Sequence, residues 1–323
     1  MKAMVQNTYG SPDVLEFSDL ERPVAGPGEV LVRVHAAGVD PGVWHLTTGL
    51  PYLARLMGYG LRAPKARVRG LDFAGCVEVV GADVTRFQPG DDVFGTCEGS
   101  FAEYACVRVD RCAPKPANLT YAQAAAVPIS AVTALQGLRD AAKVQPGQRV
   151  LVIGAAGGVG TFAVQLAKTF GAHVTGVCST EKTDLVRSIG ADEVIDYTRA
   201  DFADGKHHYE VILDTAGNRS LSQLRRALRP RGILVIVGGE GPGRLFGGVD
   251  RVLRALLLAP FVSQRLRGLF AAQRQEDLEF LRQAAENGEL TPVIDRTYPL
   301  NEAADAIRYV HKGHARGKVV LTV

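Results

Sequence analysis

The sequence predicts a mixed fold in two parts: a β-rich, barrel-like part and an α/β part built on a doubly wound parallel sheet. Three observations carry this reading. The run 150–160, V-L-V-I-G-A-A-G-G-V-G, takes an apolar strand straight into a glycine-rich turn, and an amphipathic helix pattern follows over 161–170. Near residue 125 the texture changes, from short alternating runs divided by Gly and Pro to strands that alternate with helical stretches. The chain has 323 residues, 46% of them hydrophobic and 22% charged, enough to bury the cores of two domains.

Residues 1–124 hold alternating apolar runs at 30–34, 75–80 and 101–109, with turn residues between them. The pairs Pro27-Gly28 and Pro89-Gly90 each precede an acidic residue and then a strand. A compact all-β barrel with few helices is expected here. From 125 to 272, strands are expected at 149–153, 173–177, 193–197, 211–214 and 233–237, with helices such as 182–189 and 221–228 between them. Repeated βαβ units imply a parallel sheet with right-handed crossovers. The tail, 273–323, reads as helices at 276–287 and 302–311 and a last strand at 318–323. Internal repeats and low-complexity tracts are absent from the sequence.

Bulk properties narrow the function. A net charge of +3, with Lys and Arg scattered along the chain, predicts no nucleic-acid footprint. The five cysteines, at 76, 97, 106, 112 and 178, are odd in number and lack paired short spacings. Reduced thiols and a cytoplasmic location are therefore expected. The opening M-K-A-M-V-Q-N has no apolar segment of the signal-peptide kind. The most apolar stretch, 252–262, is too short to span a bilayer and is bordered by arginines. It is expected as a buried or interface helix, and no membrane partner is predicted.

The glycine turn is the first candidate site. Read as G-x-G-x-x-G its positions are Ala155, Gly157 and Gly160, and strand, turn and helix come in the order a phosphate-binding turn requires. Small residues let the backbone approach a pyrophosphate, and the N–H groups and dipole of the helix start favour its charge. Gly157, Gly158 and Val159 are candidate dinucleotide contacts; the alternative is a tight turn with no ligand. Further on the chain reads T-G-V-C-S-T-E-K-T, with Cys178 and Ser179 at the strand end. NAD-selective sites place Asp or Glu there to bond the ribose hydroxyl. Its absence, with the hydroxyls of Ser179 and Thr180 and the cation of Lys182, predicts NADP(H), although Glu181 stands among them. Alternatively, Ser179 and Thr180 cap the helix beginning at Glu181, and Lys182 is a solvated first-turn residue.

Other motifs extend along nearly the whole chain. They are G-E-V-L-V-R-V-H-A-A-G-V-D-P (28–41), G-L-D-F-A-G-C-V-E-V-V-G (70–81), F-Q-P-G-D-D-V-F-G (87–95), F-A-E-Y-A (101–105) and A-A-A-V-P (124–128). Beyond the glycine turn come G-A-D-E-V-I-D-Y (190–197) and G-K-V-V-L (317–321). Together these resemble the zinc-independent, quinone oxidoreductase-like branch of the medium-chain dehydrogenase/reductase superfamily. The resemblance implies a GroES-like catalytic domain made of residues 1–124 and 273–323. A Rossmann NADP(H)-binding domain, 125–272, is inserted between them, with the active site in the cleft. It also implies a homodimer. It puts Tyr197, with Ser179 and Lys182, around the 2′-phosphate. Thr133, early in the linking helix, and Gly238, past the strand 233–237, complete the expected cofactor contacts.

Zinc-dependent relatives hold a catalytic metal with a Cys, a His and a further Cys. The matching positions here are Asp40, Leu71 and approximately Ile129, and Leu cannot ligate. His45 reads as a pocket or core residue, and Cys97, Cys106 and Cys112 are too few and too far apart for a structural zinc lobe. No metal is predicted. Without a Lewis acid to steady an alkoxide, the favoured chemistry is NADPH-dependent hydride transfer to a quinone or α,β-unsaturated carbonyl. The developing charge then delocalises onto an enolate or quinol oxygen, which needs only a few hydrogen-bond donors.

Candidate donors lie in the segment from Asp40 to Tyr59, which the resemblance places beside the nicotinamide. Related enoyl reductases carry a Tyr proton donor whose slot here is Pro51, leaving Tyr52, one residue on, as a catalytic or a substrate-lining group. Asp40 stands where many relatives have Asn; alternatively it is a strand-end turn residue before Pro41. Trp44 lines the pocket or packs the core. The segments 50–65 and 244–267 supply bulky residues for an apolar substrate, or, at 252–262, for dimer or core contacts. Two other functions stay open: reduction of an enoyl thioester (acyl-CoA or polyketide-type), and an NADPH-binding nucleic-acid-binding protein using Arg225, Arg226, Arg229 and Arg231. Helix-end cations explain those arginines more simply.

Overall fold

The structure, a computed structural model, describes residues 1–205, 207–238, 245 and 247–323. Arg244, the first residue of the 244–267 segment, lies outside the described residues. The chain forms two compact units, one of Met1–Val132 with Ala272–Val323 and the other of Thr133–Ala271.

The first unit opens with an antiparallel ribbon of β1 (Lys2–Val5) and β2 (Glu16–Asp19). The long strand β3 (Glu29–Val39) follows, then α1 (Pro41–Thr48) and the short α2 (Tyr52–Ala54), which runs into a π-type turn, Arg55–Tyr59. Next come β4 (Asp72–Val80), β5 (Asp92–Thr96), β6 (Tyr104–Arg108) and β7 (Cys112–Pro114), and the helices α3 (Tyr121–Ala125) and α4 (Pro128–Leu135). The expected runs 30–34, 75–80 and 101–109 lie on β3, β4 and around β6. Strand β3 serves two cores: Val30, Val32 and Val34 pack with Phe73, Val77 and Val93, while Ala37 and Val39 pack with Met4 and Phe101. Register shifts against β4 at Leu31/Val32 and Val34/Ala36 re-aim its side chains between them. The division between units falls inside α4, so residues 125–132 pack with the first unit. Its physical anchor is the Ile129 N–H, which donates to Asp72 Oδ1 at 3.0 Å.

The second unit alternates β8 (Arg149–Ile153), α5 (Gly158–Thr169), β9 (His173–Cys178), α6 (Thr183–Ser188) and β10 (Glu193–Asp196). It continues with β11 (Tyr209–Asp214), α7 (Leu221–Ala227), β12 (Leu228–Ile236), α8 (Val249–Leu258) and β13 (Arg265–Gly268). Among the described residues these strands form one parallel sheet in the order β10-β9-β8-β11-β12-β13. From β8 the chain winds outward one way through β9 and β10, then the other way through β11 to β13. The glycine turn therefore sits at the topological switch point, where such sheets bind ligands. All five expected strands are present; β13, with the sequence R-L-R-G, was not expected, and β12 begins at Leu228 rather than 233.

The stretch 252–262, expected as a buried or interface helix, is packed on one side only. It is α8 followed by a 3-10 turn, Ala259–Phe261. Val252, Ala255 and Leu258 join the core below the sheet, yet Leu253, Leu256, Leu257 and Phe261 are exposed. Apolar residues on both sides of one helix leave only one side covered.

The tail returns to the first unit with α9 (Gln275–Glu286), β14 (Ile294–Pro299), α10 (Ala303–His311) and β15 (Lys318–Thr322). Strand β15 lies between β14 and β3, antiparallel to β3. Its first residue, Lys318, and the first residue of β4, Asp72, are both sealed from water. Lys318 Nζ lies 3.5 Å from Asp72 Oδ2 and 3.0 Å from Ser130 Oγ. Burial pushes the Asp72 carboxyl up to about 7; the Lys318 ammonium opposes that rise and the charge of Asp40 adds to it. Because the folded pKa is raised above the unfolded value of 3.8, the folded chain binds more protons across that window, and stability falls as pH climbs from 3.8 towards about 7. Lys318→Met is expected to lower the unfolding free energy by about 3–5 kcal/mol in urea titrations, by leaving the carboxylate alone. The loss should grow as pH rises through about 7, and an unchanged midpoint would refute the role given to the pair.

Candidate functional site

The glycine turn is built by its own packing as much as by any ligand. Gly154, just past β8, has φ +81°, a left-handed conformation that glycine alone adopts readily. A Cβ on Gly160 would run into the Gly154 carbonyl. The N–H groups of Gly154 and Ala155 both donate to Val177 O at 3.1 Å, which ties the turn to the end of β9. Gly157 is different. It is the N-cap of α5, its Cβ would lie 3.3 Å from Gly154 O, and no side chain among the described residues caps the helix. The first-turn N–H groups, those of Gly158 and Val159 included, have no intrahelical carbonyl to meet, so the helix start is open to an anion. Gly238 lies past β12, where its N–H donates to Asp214 O and a Cβ would be 2.7 Å from Thr215 O. Thr215 Oγ1 in turn donates to Ile153 O at 2.7 Å. This cradle of small residues, open N–H groups and close backbone fits a pyrophosphate. Thr133, half-buried in α4, is the first residue of this unit.

At the strand ends beside the turn, Ser179, Thr180, Lys182 and Tyr197 are brought together, since Cys178 and Asp196 are register partners on β9 and β10. Ser179 precedes a 3-10 turn, Thr180–Lys182, and its side chain makes no capping bond. Thr180 Oγ1 donates to Asp196 Oδ2 at 2.5 Å and lies 3.0 Å from Thr198 Oγ1. Capping is thus the work of neither hydroxyl. Asp196, which sequence reasoning missed, also accepts from the Thr198 N–H at 2.9 Å and pairs with Arg199 at 3.5 Å. The Thr180 hydroxyl, first among these bonds, holds its carboxyl below the usual range. Burial pushes the Cys178 thiol up to about 11, with Asp196 adding to the rise and Lys182 opposing it. The signal was the D-Y pair at 196–197, of which only the tyrosine was used. Tyr197 is exposed and donates its N–H to Cys178 O at 3.1 Å.

In the first unit Asp40 caps α1, accepting the Gly42 N–H on Oδ1 at 2.7 Å. It is only 5% exposed, and its Oδ2 has no partner among the described residues. Leu71 and Ile129 are aliphatic, so the three positions that hold zinc in metal-dependent relatives present one carboxylate between them. No three His, Cys, Asp or Glu side chains among the described residues are grouped to hold a metal. His45 Nδ1 lies 2.8 Å from Leu50 O, a backbone tie, and Trp44 stacks on His311 of α10 with ring centres 3.5 Å apart.

Tyr52 and Tyr59, 41% and 40% exposed, differ in their neighbours and not in their exposure. Tyr52 is exposed, and its ring lies 4.8 Å from the Arg55 guanidinium, which is itself 4.2 Å from the Tyr9 ring and bound to Gly49 O at 2.8 Å. Tyr59 was not singled out from the sequence. Its phenol pKa is raised by desolvation first and by the charge of Asp40 second.

Comparison with known proteins follows the same division. The family profile described as Alcohol dehydrogenase GroES-like domain matches residues 26–117, and that described as Zinc-binding dehydrogenase matches 189–321, a stretch that holds none of Asp40, Leu71 and Ile129. The NAD(P)H oxidoreductase RTN4IP1, mitochondrial, of Mus musculus is 34% identical over 100% of this chain and 89% of its own length. The 2-methylene-furan-3-one reductase of Solanum lycopersicum is 33% identical over 99% of this chain and 79% of its own. A solved quinone oxidoreductase of Coxiella burnetii superposes with TM-score 0.85 at 30% identity, covering 100% of this chain and 99% of its own. With a GroES-like unit, a Rossmann sheet and relatives of this closeness along its whole length, the chain belongs to the quinone oxidoreductase-like branch of the medium-chain dehydrogenase/reductase superfamily, a family of oxidoreductases.

Proposed function

We propose that this oxidoreductase transfers hydride from NADPH to a quinone or an α,β-unsaturated carbonyl, and does so without zinc. The observation that carries the proposal is the donor set at Asp40, Leu71 and Ile129. A carboxylate beside two aliphatic side chains cannot build a tetrahedral zinc site, so an alkoxide would form with no electrophile to steady it. A conjugated acceptor needs less. Relatives named as a quinone oxidoreductase and as a 2-methylene-furan-3-one reductase support that class of acceptor.

Gly157, Gly158 and Val159 offer open helix-start N–H groups to the pyrophosphate, with Gly238 and Thr133 as further contacts. Ser179, Lys182 and Tyr197 are read as the 2′-phosphate pocket. The nearby Asp196 charge is compensated by bonds from Thr180 and Thr198 and by Arg199. Bound NADPH supplies the hydride. Tyr59, a phenol whose pKa is raised further by desolvation and by the charge of Asp40, is read as the donor of a hydrogen bond to the acceptor oxygen as charge develops there. Asp40 Oδ2 is left as an acceptor for a hydroxyl or amide hydrogen. Tyr52 is engaged by Arg55 and is read as a substrate-lining residue.

Stopped-flow oxidation of NADPH with quinones and enones tests the proposal. Turnover is expected with such acceptors, and Tyr59→Phe should lower kcat ~100-fold while nucleotide affinity is unchanged. Robust alcohol oxidation with no quinone or enone turnover would overturn the proposal. Gly157→Asp supplies a good N-cap but sets a carboxylate where the pyrophosphate would lie. Its NADPH affinity, by isothermal titration calorimetry, should fall roughly 10-fold with little change in melting temperature. Lys182→Glu should shift the NADPH-to-NADH ratio of kcat/KM towards NADH by roughly 10-fold. A ratio that does not move would remove Lys182 from the phosphate pocket.

A further inference from the structure

Residues 41–71 carry five cations, Arg55, Arg62, Lys65, Arg67 and Arg69, and neither Asp nor Glu. Two of the five are used by the fold. Arg69 is buried, its guanidinium donates to the carbonyls of Leu46 and Ala66, and Glu98 is the acid whose charge reaches it. Arg55 is spent on Gly49 O and on the rings of Tyr9 and Tyr52. The other three are exposed. Arg67 Nε meets only a neutral group, Asn7 Oδ1 at 3.2 Å. Among the described residues the side chains of Arg62 and Lys65 make no hydrogen bond and no ion pair. Cations crowded together without a carboxylate repel one another and draw anions to the surface that holds them.

These cations share a closed loop with Tyr59. The Lys65 N–H donates to Tyr59 O at 3.0 Å, and Tyr9 Oη lies 2.6 Å from Tyr59 O and 2.8 Å from Gly60 O. Gly60, with φ +104°, makes the turn, and a Cβ there would run into the Ala63 carbonyl. Main-chain bonds, and not flexible stems, therefore set where the cations stand relative to the candidate donor. We propose that the conjugated acceptor carries a phosphate, as an enoyl thioester of a phosphopantetheine-type arm does, and that Arg62, Lys65 and Arg67 receive it. A guanidinium matches phosphate oxygens two at a time, and an ammonium adds a point charge. A quinone or a simple enone offers three cations nothing to bind. Hydride from NADPH would add to the β-carbon and a proton from water to the α-carbon, giving the saturated thioester and NADP+. The inference rests on the reading above of Tyr59 and of a conjugated acceptor.

Calorimetric titration of the full chain, saturated with NADP+ to occupy the dinucleotide site, tests the phosphate directly. 4′-Phosphopantetheine is expected to bind roughly tenfold more tightly than pantetheine, with a preference that added salt weakens. Arg62→Gln combined with Lys65→Gln should bring the two ligands to within about twofold of each other. Both positions are exposed, so the wild-type melting temperature should be kept. Equal binding of the two ligands by the wild type overturns the proposal, as does a preference that survives in the double variant. In turnover with NADPH, crotonyl-phosphopantetheine should exceed crotonyl-pantetheine in kcat/KM, through KM. Crotonyl-coenzyme A then separates two sources of the phosphate: a free nucleotide-linked carrier if it is the better substrate, a protein-borne arm if it is no better. Cyclohexenone reports on the acceptor reading by itself. Its turnover with equal binding of the two pantetheines overturns the phosphate site alone, whereas failure of every conjugated acceptor overturns the acceptor reading and this inference with it.

Discussion

The first unit depends on a single buried pair of opposite charges. Asp72 opens β4, Lys318 opens β15, and 246 positions separate them in the chain. Neither meets water, so each needs the other, and their remaining hydrogen bonds go to the Ile129 N–H and the Ser130 hydroxyl at the start of α4. Three segments remote in sequence are thereby pinned at one point. Apolar residues of the same volume would hold these segments at least as firmly, since desolvation offsets much of what such a pair gains. What a pair adds is direction: a carboxylate tolerates a slipped partner far less well than a methyl group does. Asp40 sits close enough for its charge to reach Asp72, and the same charge reaches Tyr59. The electrostatics of the candidate catalytic segment thus begin in the framework that holds the sheet together.

The second unit shows a different economy. Its sheet is buried on both faces, as parallel sheets are, so its strands are near-continuous apolar runs. That is why 149–153 could be read to the residue from the sequence, and why the ends of β9, β10 and β11 were off by one or two. The strand that escaped, β13, is short and alternates Arg with Leu and Gly, a pattern with no apolar run to notice. In α8 the apolar pattern left a buried and an interface helix both open. Leucines on both sides make a helix look buried when only one side has a neighbour.

Site residues were legible where chemistry follows chain order and hidden where it follows the sheet. The glycine turn lies within one stretch of sequence, and its residues are where the spacing puts them. Asp196 stands beside Thr180 only because β10 pairs with β9, a neighbour relation that no local pattern contains. Tyr52 and Tyr59 lie on one short helical stretch, and spacing alone favoured the nearer one. Arg55 lies against the rings of both Tyr9 and Tyr52, a contact with a distant part of the chain that no local pattern contains. The family was readable from motifs because each of them marks a turn or strand end whose backbone demands particular small residues.

The place of β15 has a consequence for how the protein is made. Residues 133–271 form their own sheet, with every strand contributed from within that span. The sheet of the first unit is closed by residues 318–322, which are made only after the whole inserted unit. During synthesis the inserted sheet can condense as soon as it emerges, while residues 36–39 of β3 wait with one edge unpaired and Asp72 is without its cation. A nascent chain stalled before Lys318 would therefore carry a finished parallel-sheet unit and an open sheet edge, the form a chaperone would be expected to hold.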